Sequence, residues 1–284
     1  MRSRPPRPSC RSLERTESTR YITSVSTPIT TVLFDLGNTL WHMPNKPPPR
    51  AIRSETMRRV GGLITGWGFE MSDERPMIGR DIRFAVEDET HRAFHGDCVD
   101  PGYPELCRRI AETHGMDLTP EQGDELWEAW NLGGQFMNRV AYPDVITTLS
   151  ALRDRGFRLA SVTNRGYSGP DFWEEVRELG LDELFEEVVV SCDVGYMKPH
   201  ARIYEVTFER LGVEASECLM VGDDLRADVE GPKTLGMMAV WRRPPPHKRA
   251  EAATDGRNAE GPVKPDHAID EIAELLDLPS LHHR

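Results

Sequence analysis

No apolar run in the chain approaches the roughly 18 residues needed to cross a bilayer, and no apolar signal-peptide core stands near its start. A membrane-spanning protein is therefore not expected. Cationic charge is also scarce. With 35 Lys and Arg against 47 Asp and Glu, the formal net charge is -12, which argues against a nucleic-acid backbone as partner, since such binding rests on clustered Lys and Arg. Cysteine is sparse and unpatterned: Cys10, Cys98, Cys107, Cys192 and Cys218 are an odd number with no C-x-x-C spacing. Neither a disulfide framework nor a zinc site is indicated, and a reducing, cytoplasmic compartment is the simplest expectation.

What is present suits a globular protein. The 284 residues, 38% hydrophobic and 29% charged, suffice for one large domain or two smaller ones. Residues 1–28 carry Arg2, Arg4, Arg7, Arg11, Arg15 and Arg20 among prolines and serines with little apolar patterning, so this extension is expected to be disordered. Downstream, Thr31 to Phe34 reads as a buried strand that delivers Asp35 to its end, where Gly37 and Asn38 break the pattern. The carboxyl ends of strands in open α/β sheets are where ligands bind. A carboxylate there serves chemistry or is an accident of sequence.

The prolines at 44, 47, 48 and 49 mark Trp41 to Arg50 as a stiff linker. Residues 51 to 140 then read as mainly helical, with Thr119, Pro120 and Gln122 as a capping box and Leu126, Trp127 and Trp130 at helical spacing behind it. Those tryptophans suit core packing better than a ligand cage. From Pro143 onward strands and helices alternate. The strands are Leu159 to Thr163, Glu187 to Ser191, Cys218 to Val221 and Met238 to Trp241, with helices between them. Such alternation calls for parallel pairing with right-handed crossovers, a doubly wound α/β sheet. Residues 242–264, rich in proline and charge, read as a surface loop with a basic cluster from Arg242 to Arg249, and Asp266 to Leu276 as a last strand and closing helix.

Four motifs stand in order along this framework: FDLGNT around Asp35, SVTN ending in Thr163 and Asn164, MKPH with Lys198, and VGDDLRAD with Asp223, Asp224 and Asp228. Together they resemble the haloacid dehalogenase-like (HAD) hydrolase superfamily, mostly Mg-dependent phosphatases that work through an aspartyl-phosphate. The resemblance spans roughly residues 31 to 276. It implies a Rossmann-like core from 29–44 and 141–278, with residues 45–140 inserted as a C1-type helical cap.

The resemblance further implies Asp35 as the nucleophile, with Mg²⁺ held by Asp35, the backbone carbonyl of Gly37 and Asp223. Thr163, Asn164 and Lys198 would bind the phosphoryl group, Asp228 would position Lys198, and Asp224 would be a supporting acid. The implied substrate is a small-molecule phosphate ester. One position departs from the family: the second acid expected two residues after the nucleophile is Gly37. General acid–base help of that kind is worth about 10² to 10⁴-fold in rate. Either another residue substitutes, or the enzyme is slow, or turnover is lost. His42 is the first candidate substitute, against the alternative of a loop histidine without a role, and Glu87 or Asp88 from the cap are others. Arg165 either touches substrate or faces solvent. Two further functions compete with a phosphatase: a metal-independent 2-haloacid dehalogenase, against which the acidic GDDLRAD cluster speaks, and an inert module that binds a phosphorylated ligand or a partner protein.

Overall fold

A computed structural model describes residues 27–70, 77–245 and 263–282 of the chain. The expectation of disorder for residues 1–28 falls, apart from its last two positions, outside the described residues, as does most of the 242–264 loop. The core is a six-stranded parallel sheet in the order β5-β4-β1-β6-β7-β8. Its strands are β1 (Thr31–Phe34), β4 (Arg158–Thr163), β5 (Glu187–Val190), β6 (Cys218–Gly222), β7 (Met238–Arg242) and β8 (His267–Ile269).

Alternation along the strands decides which side each residue packs on. Val32 and Phe34 of β1 turn to one face, against Val145, Leu149 and Leu152 of α5 (Val145–Asp154) and Phe172 and Val176 of α6 (Pro170–Glu178). Leu33 turns to the other, against Ile203, Tyr204 and Leu211 of α8 (Ala201–Leu211). With both faces covered, the strands are apolar runs rather than polar alternations, which is why they stand out in the sequence. The sheet is doubly wound, as expected.

Among the described residues, four helices lie between β1 and β3 (Val140–Ala141): α1 (Pro49–Gly66), α2 (Ile78–His95), α3 (Tyr103–Thr113) and α4 (Pro120–Trp130). They bury a core of their own, with Val60, Ile64, Ile82, Leu106, Leu126 and Trp127. The start of α4 is the expected capping box: Gln122 N donates to Thr119 Oγ1 at 3.2 Å and Thr119 N to Gln122 Oε1 at 2.9 Å. Trp127 stacks between Tyr103 and Trp130 and donates its indole N–H to the Gly166 carbonyl at 2.7 Å, so it is packing. Cap and core are also laced together by Asp100 N to Gly195 O at 3.0 Å and Met197 N to Cys98 O at 2.7 Å.

Three local expectations are corrected. The segment from Trp41 to Arg50 is no mere linker: β2 (Trp41–His42) pairs antiparallel with β3 (Val140–Ala141), and α1 begins at Pro49. Proline is tolerated in a first helical turn, where its missing N–H would have had no partner. Arg242 does not open a surface loop but ends β7, and it is buried. Before Gly236, the expected helix is a π-helical turn, Leu225–Glu230, followed by the short α9 (Gly231–Thr234). Pro232 has no N–H to extend the first ladder. The last strand and closing helix are present as β8 and the 3-10 helix Ile272–Asp277.

Candidate active site

The carboxyl ends of β1, β4 and β6 lie level, because Phe34 is in register with both Ser161 and Val221. The residues that follow these strands therefore converge. Asp35 continues β1 by donating its N–H to the Val221 carbonyl at 2.9 Å. Thr163 ends β4, and Asp223 follows Gly222 at the end of β6. Lys198 arrives on the loop between α7 (Ser191–Val194) and α8, held there by Asn164: Lys198 N donates to Asn164 Oδ1 at 2.6 Å and Asn164 Nδ2 to Lys198 O at 2.9 Å.

At the centre, Lys198 Nζ donates to Asp35 Oδ1 at 2.8 Å and to Asp228 Oδ1 at 2.7 Å. Lys198 and Asp228 are each 1% exposed. Burial alone would discharge the ammonium, but Asp228 and Asp35 outweigh it and raise its pKa, so Lys198 stays cationic. Burial pushes the Asp228 carboxyl up, against the pull of Lys198. The other Asp228 oxygen accepts from Asp224 N at 3.0 Å. Gly222 is what admits this carboxyl: a Cβ there would stand 2.1 Å from Asp228 Cγ. Asp224 caps the following π-helical turn, accepting from Arg226 N at 2.9 Å and Ala227 N at 2.8 Å.

Sequence reasoning missed Thr39. Its hydroxyl reaches Asp35 Oδ2 at 3.1 Å and Asp223 Oδ1 at 3.5 Å, so one side chain faces two carboxylates. The only local signal was its place one turn after Asp35. Asp35, Asp223 and Asp228 each offer a carboxylate oxygen, all within 4.8 Å of one another. An oxygen-only donor set with more negative than positive charge suits Mg²⁺, which takes hard oxygen ligands and keeps waters. Both Asp228 oxygens are already engaged by Lys198 Nζ and Asp224 N, which leaves Asp35 and Asp223 as the fitting side-chain pair.

The site opens on a cavity of about 700 Å³ whose walls include Asp35, Gly37, Thr163, Asn164, Lys198 and Asp223. Two of the candidate proton donors, His42 and Glu87, also line it. Asp88 instead pairs with Arg92 on the exposed face of α2. The His42 ring stacks on Tyr142 at 4.1 Å and 12°. The Arg242 guanidinium lies 3.8 Å from the same Tyr142 ring centroid and donates to the Asn38 carbonyl at 2.7 Å, so the end of β7 braces the loop that follows Asp35. Arg165 lines the cavity rather than facing bulk solvent, and its Nη2 lies 3.3 Å from Glu175 Oε2.

Residues 29–236 match the family model of haloacid dehalogenase-like hydrolases. The chain is 31% identical over 250 residues to a glyceraldehyde 3-phosphate phosphatase of Methanopyrus kandleri, covering 88% of this chain and 97% of that one. It is 30% identical over 255 residues to a ribulose-1,5-bisphosphate 5-phosphatase of Halopiger xanaduensis, covering 88% and 99%. Among solved structures, an HAD phosphatase from Thermococcus onnurineus superposes with a TM-score of 0.50 at 26% identity, covering 88% of this chain and 97% of that one.

Proposed function

The chain belongs to the haloacid dehalogenase-like hydrolase family, and from that premise we propose that it is a Mg-dependent phosphatase of small phosphorylated metabolites acting through an aspartyl-phosphate on Asp35. The observation that carries this reading is the buried Lys198 ammonium held between Asp35 at 2.8 Å and Asp228 at 2.7 Å, beside Asp223. It fixes one Asp35 oxygen and leaves the other toward Thr39 and Asp223. The relatives named as phosphatases of small phosphate esters support the substrate class.

Asp35 and Asp223, with the Gly37 carbonyl, would hold the metal, which when bound cancels the repulsion between an anionic nucleophile and a phosphoryl group. A carboxylate oxygen of Asp35 attacks phosphorus, the ester P–O bond breaks, and the leaving oxygen takes a proton. Water then attacks the phosphorus of the aspartyl-phosphate, releasing inorganic phosphate and restoring Asp35. Lys198 neutralises charge on the nucleophile and the phosphoryl oxygens, and the Thr163 hydroxyl and the amide of Asn164 donate to those oxygens. With glycine at 37, the proton for the leaving group falls to His42, whose ring the Tyr142 stack holds at the cavity wall. Helices α1 to α4 act as a cap that excludes water and selects substrate. The sparse, unpatterned cysteines fit a cytoplasmic setting.

The test is pre-steady-state release of phenol from an aryl phosphate, with and without Mg²⁺, with Asp35→Asn as control. A Mg-dependent burst or fast Mg-dependent turnover, absent in Asp35→Asn, is the expected result. Turnover indifferent to metal removal would overturn the reading in favour of metal-independent chemistry, and no reaction by folded protein would overturn it in favour of a binding module.

A further inference from the structure

The catalytic cavity does not end at the catalytic residues. It meets a second cavity of about 760 Å³ along a shared wall of Glu87, Arg139, Arg165 and Gly166. This second space is cationic out of proportion to a chain of net charge -12. Its lining includes Lys46, Arg53, Arg80, Arg83, Arg139 and Arg165, and the one carboxylate among its described lining residues is Glu87. Arg80 is matched by Asp81 at 2.8 Å. The others outnumber their partners.

The shared wall is the informative part. Arg139 and Arg165 both reach the same oxygen of the buried Glu175, Oε2, Arg165 at 3.3 Å and Arg139 in close contact. Two guanidinium groups thus share one carboxylate, and each is stacked on an aromatic face, Arg139 over Trp41 at 5.0 Å and Arg165 over Phe172 at 4.7 Å. Rigid planar forks of this kind match oxyanions bidentately. Buried Arg139 Nε, and Arg83 Nε on α2, have no hydrogen-bond partner, and neither has Glu175 Oε1, so the cluster leaves both donors and one acceptor unsatisfied while two cations share one carboxylate. Burial pulls the Arg139 pKa down to about 10, and burial together with the neighbouring Arg139 pulls Arg165 down to about 9. Both remain charged at neutral pH, and an added anion would relieve both.

We propose that Arg139 and Arg165, with Arg83 behind them, form a distal oxyanion subsite, so that the substrates are phosphate monoesters carrying a second anionic group, a carboxylate or another phosphate, at the end remote from the scissile bond. The subsite rests on the phosphatase reading for which end of the ligand meets Asp35. Its chemistry toward an anion does not. Glu175 serves as an internal counter-ion that holds the two guanidinium groups together when the subsite is empty and is insufficient for both.

Binding is read on the Asp35→Asn protein with Mg²⁺ by calorimetry, using two matched pairs of probes. 3-Phosphoglycerate differs from glycerol 3-phosphate by a carboxylate in place of a hydroxymethyl group, and fructose 1,6-bisphosphate differs from fructose 6-phosphate by a phosphate. The expected result is an affinity ratio of about tenfold or more in favour of the doubly anionic member of at least one pair. A preference confined to one pair upholds the subsite and identifies its anion. Arg139→Gln, added to Asp35→Asn, is expected to bring that ratio down to about one. If Arg139→Gln fails to fold, Arg83→Gln gives the same reading from outside the Glu175 cluster, with a reduced ratio expected. Glu175→Gln, which withdraws the competing anion and keeps the packing, is expected to raise it. Equal affinities within both pairs, or a ratio that neither arginine variant changes, overturns the subsite. Failure of the phosphatase reading appears separately, as wild-type protein that cleaves no aryl phosphate whatever its binding ratios.

Discussion

The hydroxyl of Thr39 lies 3.1 Å from Asp35 Oδ2 and 3.5 Å from Asp223 Oδ1, joining two carboxylates that are 188 positions apart in the chain. Thr39→Val keeps the buried β-branched shape and removes the donor. Apparent Mg²⁺ affinity in aryl phosphate turnover is expected to fall about tenfold, the scale seen when outer partners of metal ligands are removed. An unchanged Mg²⁺ titration would show that the hydroxyl does not orient the pair.

Lys198 stands between two buried carboxylates, so removing it leaves both uncompensated. Lys198→Met is expected to cost about 3–5 kcal/mol in urea unfolding and to abolish turnover. Adding Asp228→Leu should recover part of the stability and none of the activity. Additive losses in the double variant would contradict the shared network.

Gly37 has no steric reason to be glycine. A Cβ there would meet nothing closer than Trp41 Nε1 at 3.9 Å. Gly37→Asp is expected to raise turnover of alkyl phosphates by about 10²-fold or more and that of aryl phosphates less, since only the former need a proton donor. In the same assay, His42→Ala should slow the wild type and matter little in the Gly37→Asp background. An indifferent Gly37→Asp would mean that proton transfer is already supplied elsewhere.

Asp100 contributes to the contact between cap and core, accepting from the Ser191 hydroxyl at 3.1 Å. Burial raises its pKa, more than the hydrogen bonds from Gly102 N and Ser191 lower it. A carboxyl raised in the folded state contributes stability that is complete below the unfolded pKa and lost as pH rises through the folded one. Asp100→Asn, neutral throughout, is therefore expected to raise Tm above that of wild type at pH 8, with the gap closing toward about pH 4. The amide can donate to Ser191 Oγ while that hydroxyl donates to Arg165 O, which already lies 3.1 Å away. A gap that widened toward acid would reverse the assignment.

The parts legible in sequence are those encoded over a few adjacent residues. β1, β4 and β6 are short apolar runs because both faces of the sheet are covered, and Asp35, Thr163 and Asp223 at or just past their ends read as a site through the resemblance that the four ordered motifs carry. The α4 capping box was legible for the same cause. Where partners lie far apart the sequence is silent. Trp41–His42 and Val140–Ala141 are two-residue strands too short for a pattern, and each exists only through the other. Nothing near Arg139 or Arg165 announces Glu175. Arg242 was misread because its neighbours, the prolines that follow, look like a loop, whereas its own side chain is spent on Tyr142 and Asn38.

That last contact has a consequence for synthesis on the ribosome. The brace runs from Arg242 to Asn38 across 204 residues, so the loop after Asp35 emerges long before its support. At about 5–20 residues per second the interval is roughly 10–40 s. Throughout it the nascent chain carries Asp35 without the finished β7 end, and a stalled or prematurely released product lacking that strand would hold the first motif yet be unable to set its loop. The setting of the loop after Asp35 is thus deferred until most of the polypeptide has been made.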